Sequence, residues 1–471
     1  MKGKNAFRLR LDYSNMMAEN IGSKHGIDRK QIQKIADSID PIHQEFLHHR
    51  QSNEVSFWNL PSQKKMAEEV LNYVRKVRGK FDHYVHIGIG GSALGAIALH
   101  TALQHPLYNL SPQRRQQRLP QVFFLDNIDP DTIKAVLNVI DIDKTLFNVV
   151  TKSGSTAETL ATFLVFLQYL KDRLGSNYHN HLVFVTDPAK GFLRQLASAE
   201  GITAFAIPPG VGGRFSVLTP VGLLPAAIAG IDILELLHGA SFMDELCQQE
   251  SIWKNPAYLF AVLNYLNYQR DKKIVVMMPY SDRLYRLADW FRQLWAESLG
   301  KKLDLQGRQV FVGPTPVKAL GTTDQHSQVQ LYVEGPFDKI FVFLEVEQFE
   351  TVLPINSGQA REKATRYLEG HTINELIAAE KRATELALTR NQRPNCTIKF
   401  PLVSAFTIGQ IFQMLEIATA FAGKLFEINP FDQPGVEEGK IVTYALMGRE
   451  GYEDKRLEVM DELQKRVVYE V

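Results

Sequence analysis

The chain has 471 residues, of which 45% are hydrophobic and 22% are charged, and its formal net charge is +1. These values are typical of a globular protein with two or three domains, and they exclude a strong overall field for nucleic acid or an anionic membrane. Two cysteines, Cys247 and Cys396, are too few for a disulfide framework or a tetrahedral zinc site and indicate free thiols. The amino terminus has no signal-peptide core, and the most apolar stretch, 221–237, contains a proline, a glycine and an aspartate. We therefore expect a cytoplasmic protein.

In chain order, the pattern begins with a polar, mainly helical segment over residues 1–62. Short, nearly continuous apolar runs follow at intervals that leave room for amphipathic helices, as expected for buried parallel strands. The predicted strands of this first set are 84–89, 122–125, 146–150, 182–185 and 204–207. The alternation predicts an α/β domain with a doubly wound parallel sheet over residues 63–220.

A helical connection is predicted over residues 221–268, and a second α/β domain over residues 269–448. Its predicted strands are 274–278, 310–312 and 340–346, and residues 449–471 form a predicted helical tail. The fold class is therefore α/β, with two doubly wound, mainly parallel sheets and helical segments at both ends. Because ligands of open α/β sheets bind beyond the carboxyl ends of the strands, a site is expected in the loops that follow them.

The loop Gly88–Gly95 follows the first predicted strand and includes Gly91 and Ser92. Its glycines let the backbone approach a ligand closely, and the next helix offers free amide donors to an anion. The spacing also fits the dinucleotide fingerprint GxGxxG/A, but Asp126 lies 36 positions after Gly90 instead of the usual 20 or so. A small anion, a dinucleotide and a tight turn without a ligand remain open at this point.

The loop Thr151–Thr159 follows the third predicted strand and combines several hydroxyls with a lysine at the start of a predicted helix. This composition favours a phosphate, although the nucleotide motif GxxxxGK[ST] is absent. Helix capping by Ser155 or Thr156, followed by Glu158, is the alternative, and we expect capping in addition to anion binding. The candidate binding residues are Thr151, Lys152, Ser153, Thr156 and Thr159.

Arg214 follows two glycines just past the fifth predicted strand. It is either a surface arginine in a turn or a cation that points into a crevice to meet an oxyanion. Glu297 lies in the last turn of a helix predicted over residues 284–299, one turn after Gln293 and beside an apolar stripe. It is either a surface glutamate paired with Lys301 or a general base.

His326 is one of 13 histidines, and its place in a Gly/Thr/Asp loop is its only distinguishing local feature. The irregular stretch Phe426–Lys440 brings amide, carboxylate and ammonium groups together, with Gln433 and Lys440 as the candidates. No HExxH motif or other metal-ligand spacing is present, so neither a metal nor a cofactor is expected.

In this order, from Gly88 to Lys440, the motifs resemble those of the phosphoglucose isomerase family, most specifically in Gly212–Pro220 and Phe426–Lys440. The resemblance implies two sugar isomerase domains and the interconversion of glucose 6-phosphate and fructose 6-phosphate through ring opening and an enediol. It assigns the phosphate to the loop Thr151–Thr159, where Thr151 stands in place of the serine common in the family. Side activity on mannose 6-phosphate stays open.

The resemblance also implies individual roles. Glu297 would move the carbon-bound proton, His326 and Lys440 would promote ring opening, and Arg214 would stabilise the enediolate. Gln293 and Gln433 would position the substrate. The family pattern further implies a homodimer in which His326 enters the site of the partner subunit.

Two other classes of protein remain as alternatives. A nicotinamide dehydrogenase would use the loop Gly88–Gly95 for its dinucleotide. A non-catalytic phosphosugar sensor would keep the loop Thr151–Thr159 but would not need Glu297, His326 and Lys440 together.

Overall fold

The computed structural model describes residues 4–52, 56–356, 358 and 362–471. Within these ranges the strands are β1 (Arg10–Asp12), β2 (His83–Ile87), β3 (Gln121–Leu125), β4 (Thr145–Thr151), β5 (Leu182–Thr186), β6 (Thr203–Ala206), β7 (Ile274–Pro279), β8 (Lys301–Leu303), β9 (Gln309–Val312), β10 (Thr315–Lys318), β11 (Lys339–Gln348) and β12 (Asn395–Leu402).

The helices in the same ranges are α1 (Ala18–Ile21), α2 (Arg29–Ala36), α3 (Asp40–Gln51), α4 (Lys64–Val77), α5 (Leu94–Leu103), α6 (Pro112–Gln116), α7 (Pro130–Val139), α8 (Ala157–Leu174), α9 (Phe192–Glu200), α10 (Pro220–Ile228), α11 (Ile233–Cys247), α12 (Pro256–Tyr268), α13 (Tyr285–Leu299), α14 (Val329–Glu334), α15 (Ile373–Arg390), α16 (Ala405–Leu425), α17 (Glu437–Leu446) and α18 (Glu453–Lys465).

The first sheet has the strand order β3-β2-β4-β5-β6, and all its pairings are parallel. Its central strand β4 is buried at every position, because a strand covered by helices on both faces needs apolar residues on both. Each predicted strand of this set is confirmed to within about two residues. The loops after β2 and β4 leave the sheet at the same edge, which brings the two candidate binding loops together.

The second sheet has the order β1-β12-β11-β7-β10, in which only β1 runs antiparallel to its neighbour. The predicted fold class is confirmed, with two local corrections. The amino-terminal segment is not helical throughout, since Arg10–Asp12 forms the edge strand β1. Residues 310–312 do not join this sheet, because they lie in β9, which pairs with β8 in a separate antiparallel ribbon.

The helix α16 forms the centre of the largest core and is buried along nearly its whole length. Its backbone approaches α11 closely: a Cβ on Gly239 would lie 1.9 Å from the carbonyl oxygen of Phe406, and one on Gly409 would lie 1.9 Å from that of Leu236. By length and composition α16 could span a membrane, but 94% of its most apolar window is buried inside the protein. The chain that leaves α16 runs directly into the irregular stretch that contains Gln433.

Candidate active site

The glycine-rich turn after β2 packs directly against the turn that carries Arg214. A Cβ on Gly91 would lie 2.5 Å from the carbonyl carbon and oxygen of Gly213, so no larger residue fits there. The Ser216 hydroxyl joins the two turns by donating to the carbonyls of Gly213 (2.7 Å) and Gly91 (3.2 Å). The two loops therefore form one compact wall of the site.

His86, in β2, contacts the glycine-rich turn of this wall, and sequence reasoning missed it. Its Nε2 lies 2.7 Å from the carbonyl oxygen of Ser92, and its Nδ1 lies 3.3 Å from the side-chain nitrogen of Asn148. Burial lowers the pKa of His86 to about 4, so the ring is neutral at physiological pH. The neutral ring then donates from Nε2 to Ser92 and accepts from Asn148 at Nδ1. A histidine inside an apolar strand gives no sequence signal for this function.

Arg214 is buried, with 5% of its side chain exposed, so the surface interpretation of this residue is wrong. Its guanidinium donates to four protein oxygens: Ser298 Oγ (2.9 Å), Gln433 Oε1 (3.0 Å), the Pro430 carbonyl (3.0 Å) and the Asp432 carbonyl (3.1 Å). Burial lowers the pKa of Arg214, and the nearby carboxylate of Glu297 opposes that effect. Arg214 thus joins the irregular stretch after α16 to the end of α13.

The Glu297 carboxylate lies 3.3 Å from Nη1 of Arg214 and accepts a hydrogen bond from Nε2 of Gln293 at 3.1 Å. Gln293 also faces the glycine-rich turn, since a Cβ on Gly90 would lie 3.1 Å from its Nε2. The ammonium of Lys301 bonds to the backbone carbonyl of Glu297 at 2.8 Å, not to its carboxylate. The alternative of a surface ion pair with Lys301 is therefore wrong, and the carboxylate is directed at the guanidinium.

The hydroxyls of the loop after β4 converge on one another. Thr151 Oγ1 and Thr156 Oγ1 are 2.8 Å apart, and Ser153 Oγ lies 3.3–3.4 Å from both. Thr159 Oγ1 is buried, and it has no hydrogen-bond partner among the residues that the structure describes. The expected helix cap is absent: Thr156 holds the N-cap position of α8 but makes no side-chain capping bond, and its hydroxyl faces Thr151 instead.

The ammonium of Lys152 bonds to backbone carbonyls and not to these hydroxyls. Its ammonium donates to the carbonyls of Pro209 and Val211, both at 2.7 Å, and so fixes the segment that precedes Arg214. Burial lowers the pKa of Lys152, and Asp187 opposes the effect. Two of its three donors are used by the protein, which sequence reasoning did not anticipate.

Lys440 lies on α17, about half exposed, and pairs with Glu437 at 2.7 Å. The same helix reaches the hydroxyl loop, because the Tyr444 hydroxyl lies 3.4 Å from the carbonyl oxygen of Ser155. Gln433 is joined to Arg214, whereas the ion pair with Glu437 does not join Lys440 to the other candidates.

His326 is not joined to the other candidates within the chain. Its imidazole is exposed and makes no hydrogen bond, ion pair or ring contact within the described ranges. The loop that carries it is well anchored, since Gln325 accepts from the Tyr280 hydroxyl (2.6 Å) and donates to Glu380 (2.7 Å). The structure thus presents this histidine outward on a fixed turn.

Besides His86, the sequence did not indicate the roles of three residues of the site: Ser298, Lys301 and Asp432. Ser298 and Lys301 flank Glu297, and Asp432 precedes Gln433, so proximity to the candidates was the available signal. The contacts of Lys301 and Asp432 are made through backbone carbonyls, and Ser298 accepts from Arg214, 84 positions away, so no local residue pattern specifies them.

The candidate residues lie around two mainly parallel sheets. Hydroxyls and a guanidinium stand in loops after strands of the first sheet, and a carboxylate stands at the end of α13, which follows β7 of the second. This arrangement defines an α/β protein with a candidate site for a phosphorylated small molecule. The family model of phosphoglucose isomerase matches residues 63–459. The glucose-6-phosphate isomerase of Carboxydothermus hydrogenoformans is 53% identical over 87% of this chain and 89% of its own length. The glucose-6-phosphate isomerase of Rubrobacter xylanophilus is 48% identical over 84% of this chain and 90% of its own length.

Two solved structures share this fold over most of the chain. A hypothetical protein from Thermus thermophilus has a TM-score of 0.81 at 39% identity, covering 93% of this chain and all of its own. A glucose-6-phosphate isomerase from Chlamydia trachomatis has a TM-score of 0.72 at 25% identity, covering 85% of this chain and 77% of its own. The chain belongs to the phosphoglucose isomerase family.

Proposed function

We propose that the protein interconverts glucose 6-phosphate and fructose 6-phosphate, as a cytoplasmic enzyme of glycolysis and gluconeogenesis. The observation that carries the proposal is the grouping of Glu297, Arg214, Gln293 and Gln433. The hydroxyl loop is joined to the segment before Arg214 by the bond from Lys152 to the Val211 carbonyl. Aldose–ketose isomerisation needs one base and one cation at adjacent carbons, and this grouping supplies both. The names of the relatives in both sequence and structure support the same reaction.

The phosphate is bound by the loop after β4. The hydroxyls of Thr151, Ser153 and Thr156 already lie within 3.4 Å of one another, and Thr159 holds a buried hydroxyl without a partner in the described part of the chain. The free amides at the start of α8 add a favourable field for an anion. Gly91 and Ser92, on the wall opposite, contact the sugar.

Glu297 moves the proton. Its carboxylate removes the proton from carbon 2 of the open-chain aldose, which leaves a cis-enediolate charged at oxygen 1. The proton of the oxygen-2 hydroxyl passes to oxygen 1, and the glutamic acid then returns its proton to carbon 1, which gives the ketose. Arg214 stabilises the negative charge that develops on the enediol oxygens, as an oxyanion donor does. Gln293 and Gln433 hold the carboxylate and the guanidinium in place and contact the sugar hydroxyls.

Ring opening precedes this step and needs an acid and a base at the hemiacetal. We assign it to Lys440 and His326, the latter supplied by the partner subunit of a homodimer. The exposed imidazole on an anchored turn, without a partner in its own chain within the described ranges, supports this assignment. Lys152 contributes its remaining donor and its charge to the phosphate.

The test is a coupled assay of the purified protein with glucose 6-phosphate or fructose 6-phosphate, in the presence of a chelator and without added cofactor. Turnover is expected in both directions, and Glu297→Gln should abolish it. No turnover would overturn the proposal, and turnover lost on chelation would overturn its metal-free chemistry. Saturable binding of NAD(P) would favour the dehydrogenase, and phosphosugar binding without turnover would favour the sensor.

A further inference from the structure

Lys301 is a buried lysine that connects the end of the Glu297 helix to the stretch that contains Gln433. Only 5% of its side chain is exposed. Its ammonium donates to the backbone carbonyl of Glu297 at 2.8 Å and to the backbone carbonyl of Asp432 at 3.0 Å. It therefore joins the end of the Glu297 helix to a carbonyl 131 positions further along the chain than Lys301 itself, and each of the two segments carries a candidate site residue.

The local sequence explains why a lysine stands here. The last carbonyls of a helix have no partner within the helix, and α13 ends at Leu299 with Gly300 as its C-cap. The segment that follows β9 packs closely against this helix end, since a Cβ on Gly313 would lie 2.6 Å from the Cα of Gly300. Lys301, the first residue of β8, is thereby placed beside the free carbonyl of Glu297.

Two buried cations converge on one carbonyl. Asp432 accepts from Lys301 at 3.0 Å and from Arg214 at 3.1 Å through the same backbone oxygen. The Asp432 carboxylate, 3.6 Å from the Lys301 ammonium, offsets part of the charge. Burial lowers the pKa of Lys301, and Asp432 opposes that effect. Two neighbouring buried cations raise the free energy of the folded protein through repulsion and desolvation. We therefore expect such an arrangement where the position of the Asp432 carbonyl matters for the site.

We propose that Lys301 is a positioning residue for the isomerisation. Its ammonium sets the separation between Glu297, which transfers the proton, and Gln433, which holds Arg214 and the sugar. It touches neither substrate nor the reacting carboxylate, and it acts through two backbone carbonyls. This inference rests on the proposed function, which the assay of the wild-type protein tests separately.

The test compares two buried lysines. Lys301→Met removes the bridge, and Lys381→Met removes a lysine of similar burial that pairs with Glu345 (3.1 Å) and Glu385 (2.8 Å) on the far side of the second sheet. Both variants should unfold at a lower urea concentration than the wild type. Only Lys301→Met should lose kcat, by about 10²-fold for a displaced base, with a much smaller change in KM.

Two further readouts separate positioning from folding. In D2O, Lys301→Met should incorporate more solvent deuterium into product per turnover, because a displaced base returns the same proton less efficiently to the enediol. Lys301→Arg, which keeps a donor and the charge, should recover part of kcat.

Equal kcat in the Lys301→Met and Lys381→Met proteins, with unchanged deuterium incorporation, would overturn the proposal. Should Lys301→Met fail to fold, Lys301→Gln provides the same comparison, since its side chain is one bond shorter and cannot bridge the two carbonyls that the ammonium joins. Wild-type kcat and deuterium incorporation in Lys301→Gln would then reject it. An inactive wild-type protein would instead reject the proposed function.

Discussion

Replacing Arg214 with methionine should reduce both stability and activity, and the structure gives a magnitude for each. The Pro430 carbonyl and the Gln433 amide oxygen would lose their guanidinium donor, at about 1–3 kcal/mol for each unsatisfied buried acceptor. The Asp432 carbonyl keeps Lys301 as a donor, and the Ser298 hydroxyl can rotate. Glu297 would lose its cation. The expected loss of unfolding free energy is about 3–5 kcal/mol, as for other buried ion pairs that lose one partner.

Activity should fall further than stability alone explains. Arg214 supplies the cation beside the developing enediolate, and the loss of one such donor costs about 3 kcal/mol, or 10²–10³-fold in kcat. Urea unfolding followed by tryptophan fluorescence gives the first quantity, and the coupled assay on the folded variant gives the second. The stability and the kcat of Arg214→Lys should lie between those of the wild type and of Arg214→Met, because one ammonium cannot reach all the oxygens that the planar guanidinium joins.

Arg50 offers a matched control. It is also buried, with 7% of its side chain exposed, and it pairs with Asp244 at 3.0 Å away from the site. Arg50→Met should lose a similar amount of stability and keep its kcat. If Arg214→Met unfolds at the wild-type urea concentration, the structural part of the reasoning is refuted. If it loses stability but keeps kcat, the electrostatic part is refuted.

Three other changes test separate parts of the site and core. Thr159→Val should raise KM about tenfold through one lost hydroxyl without lowering the melting temperature, whereas Thr162→Val, on the same helix, should leave KM unchanged. Inactive Glu297→Gln and His326→Ala proteins, mixed under conditions of subunit exchange, should recover about a quarter of wild-type activity, and verified heterodimers without activity would disprove the shared site. Burial raises the pKa of Glu416 well above its usual value, so the folded protein keeps a proton that the unfolded chain loses above about pH 4.3. Glu416 therefore lowers the free energy of unfolding more as the pH rises. Glu416→Gln should raise the melting temperature near neutral pH but not near about pH 4. An equal shift at both pH values would contradict this assignment.

The first sheet could be predicted from sequence because its strands are buried on both faces. In β4 every position is buried, so the apolar run is almost continuous and its ends are easily placed. Two strands of the second sheet carry no such pattern. Pro316 and Lys318 interrupt β10, and Lys399 and Pro401 interrupt β12, where tertiary pairing determines the structure instead of local propensity.

The site shows a similar division. The resemblance of their motifs to those of the phosphoglucose isomerase family, and not the local pattern alone, points to Arg214, Glu297 and Gln433 as candidates. The motifs do not indicate what each side chain contacts. The Arg214 guanidinium reaches carbonyls more than 200 positions away, and the Lys152 ammonium turns to carbonyls 57 and 59 positions away. Such contacts depend on the path of the backbone, which only the folded chain defines.

The use of backbone carbonyls by these cations has a consequence for substrate binding. Arg214, Lys152 and Lys301 all donate to main-chain oxygens, and the half-exposed Lys440 pairs with Glu437. We therefore propose that a phosphate is received mainly by neutral hydroxyls and by the amides at the start of α8. Salt screens exposed charges much more than buried hydrogen bonds. Steady-state assays at increasing ionic strength should consequently show only a slight rise in KM for fructose 6-phosphate. A steep rise would mean that free lysines, and not the hydroxyl loop, bind the phosphate.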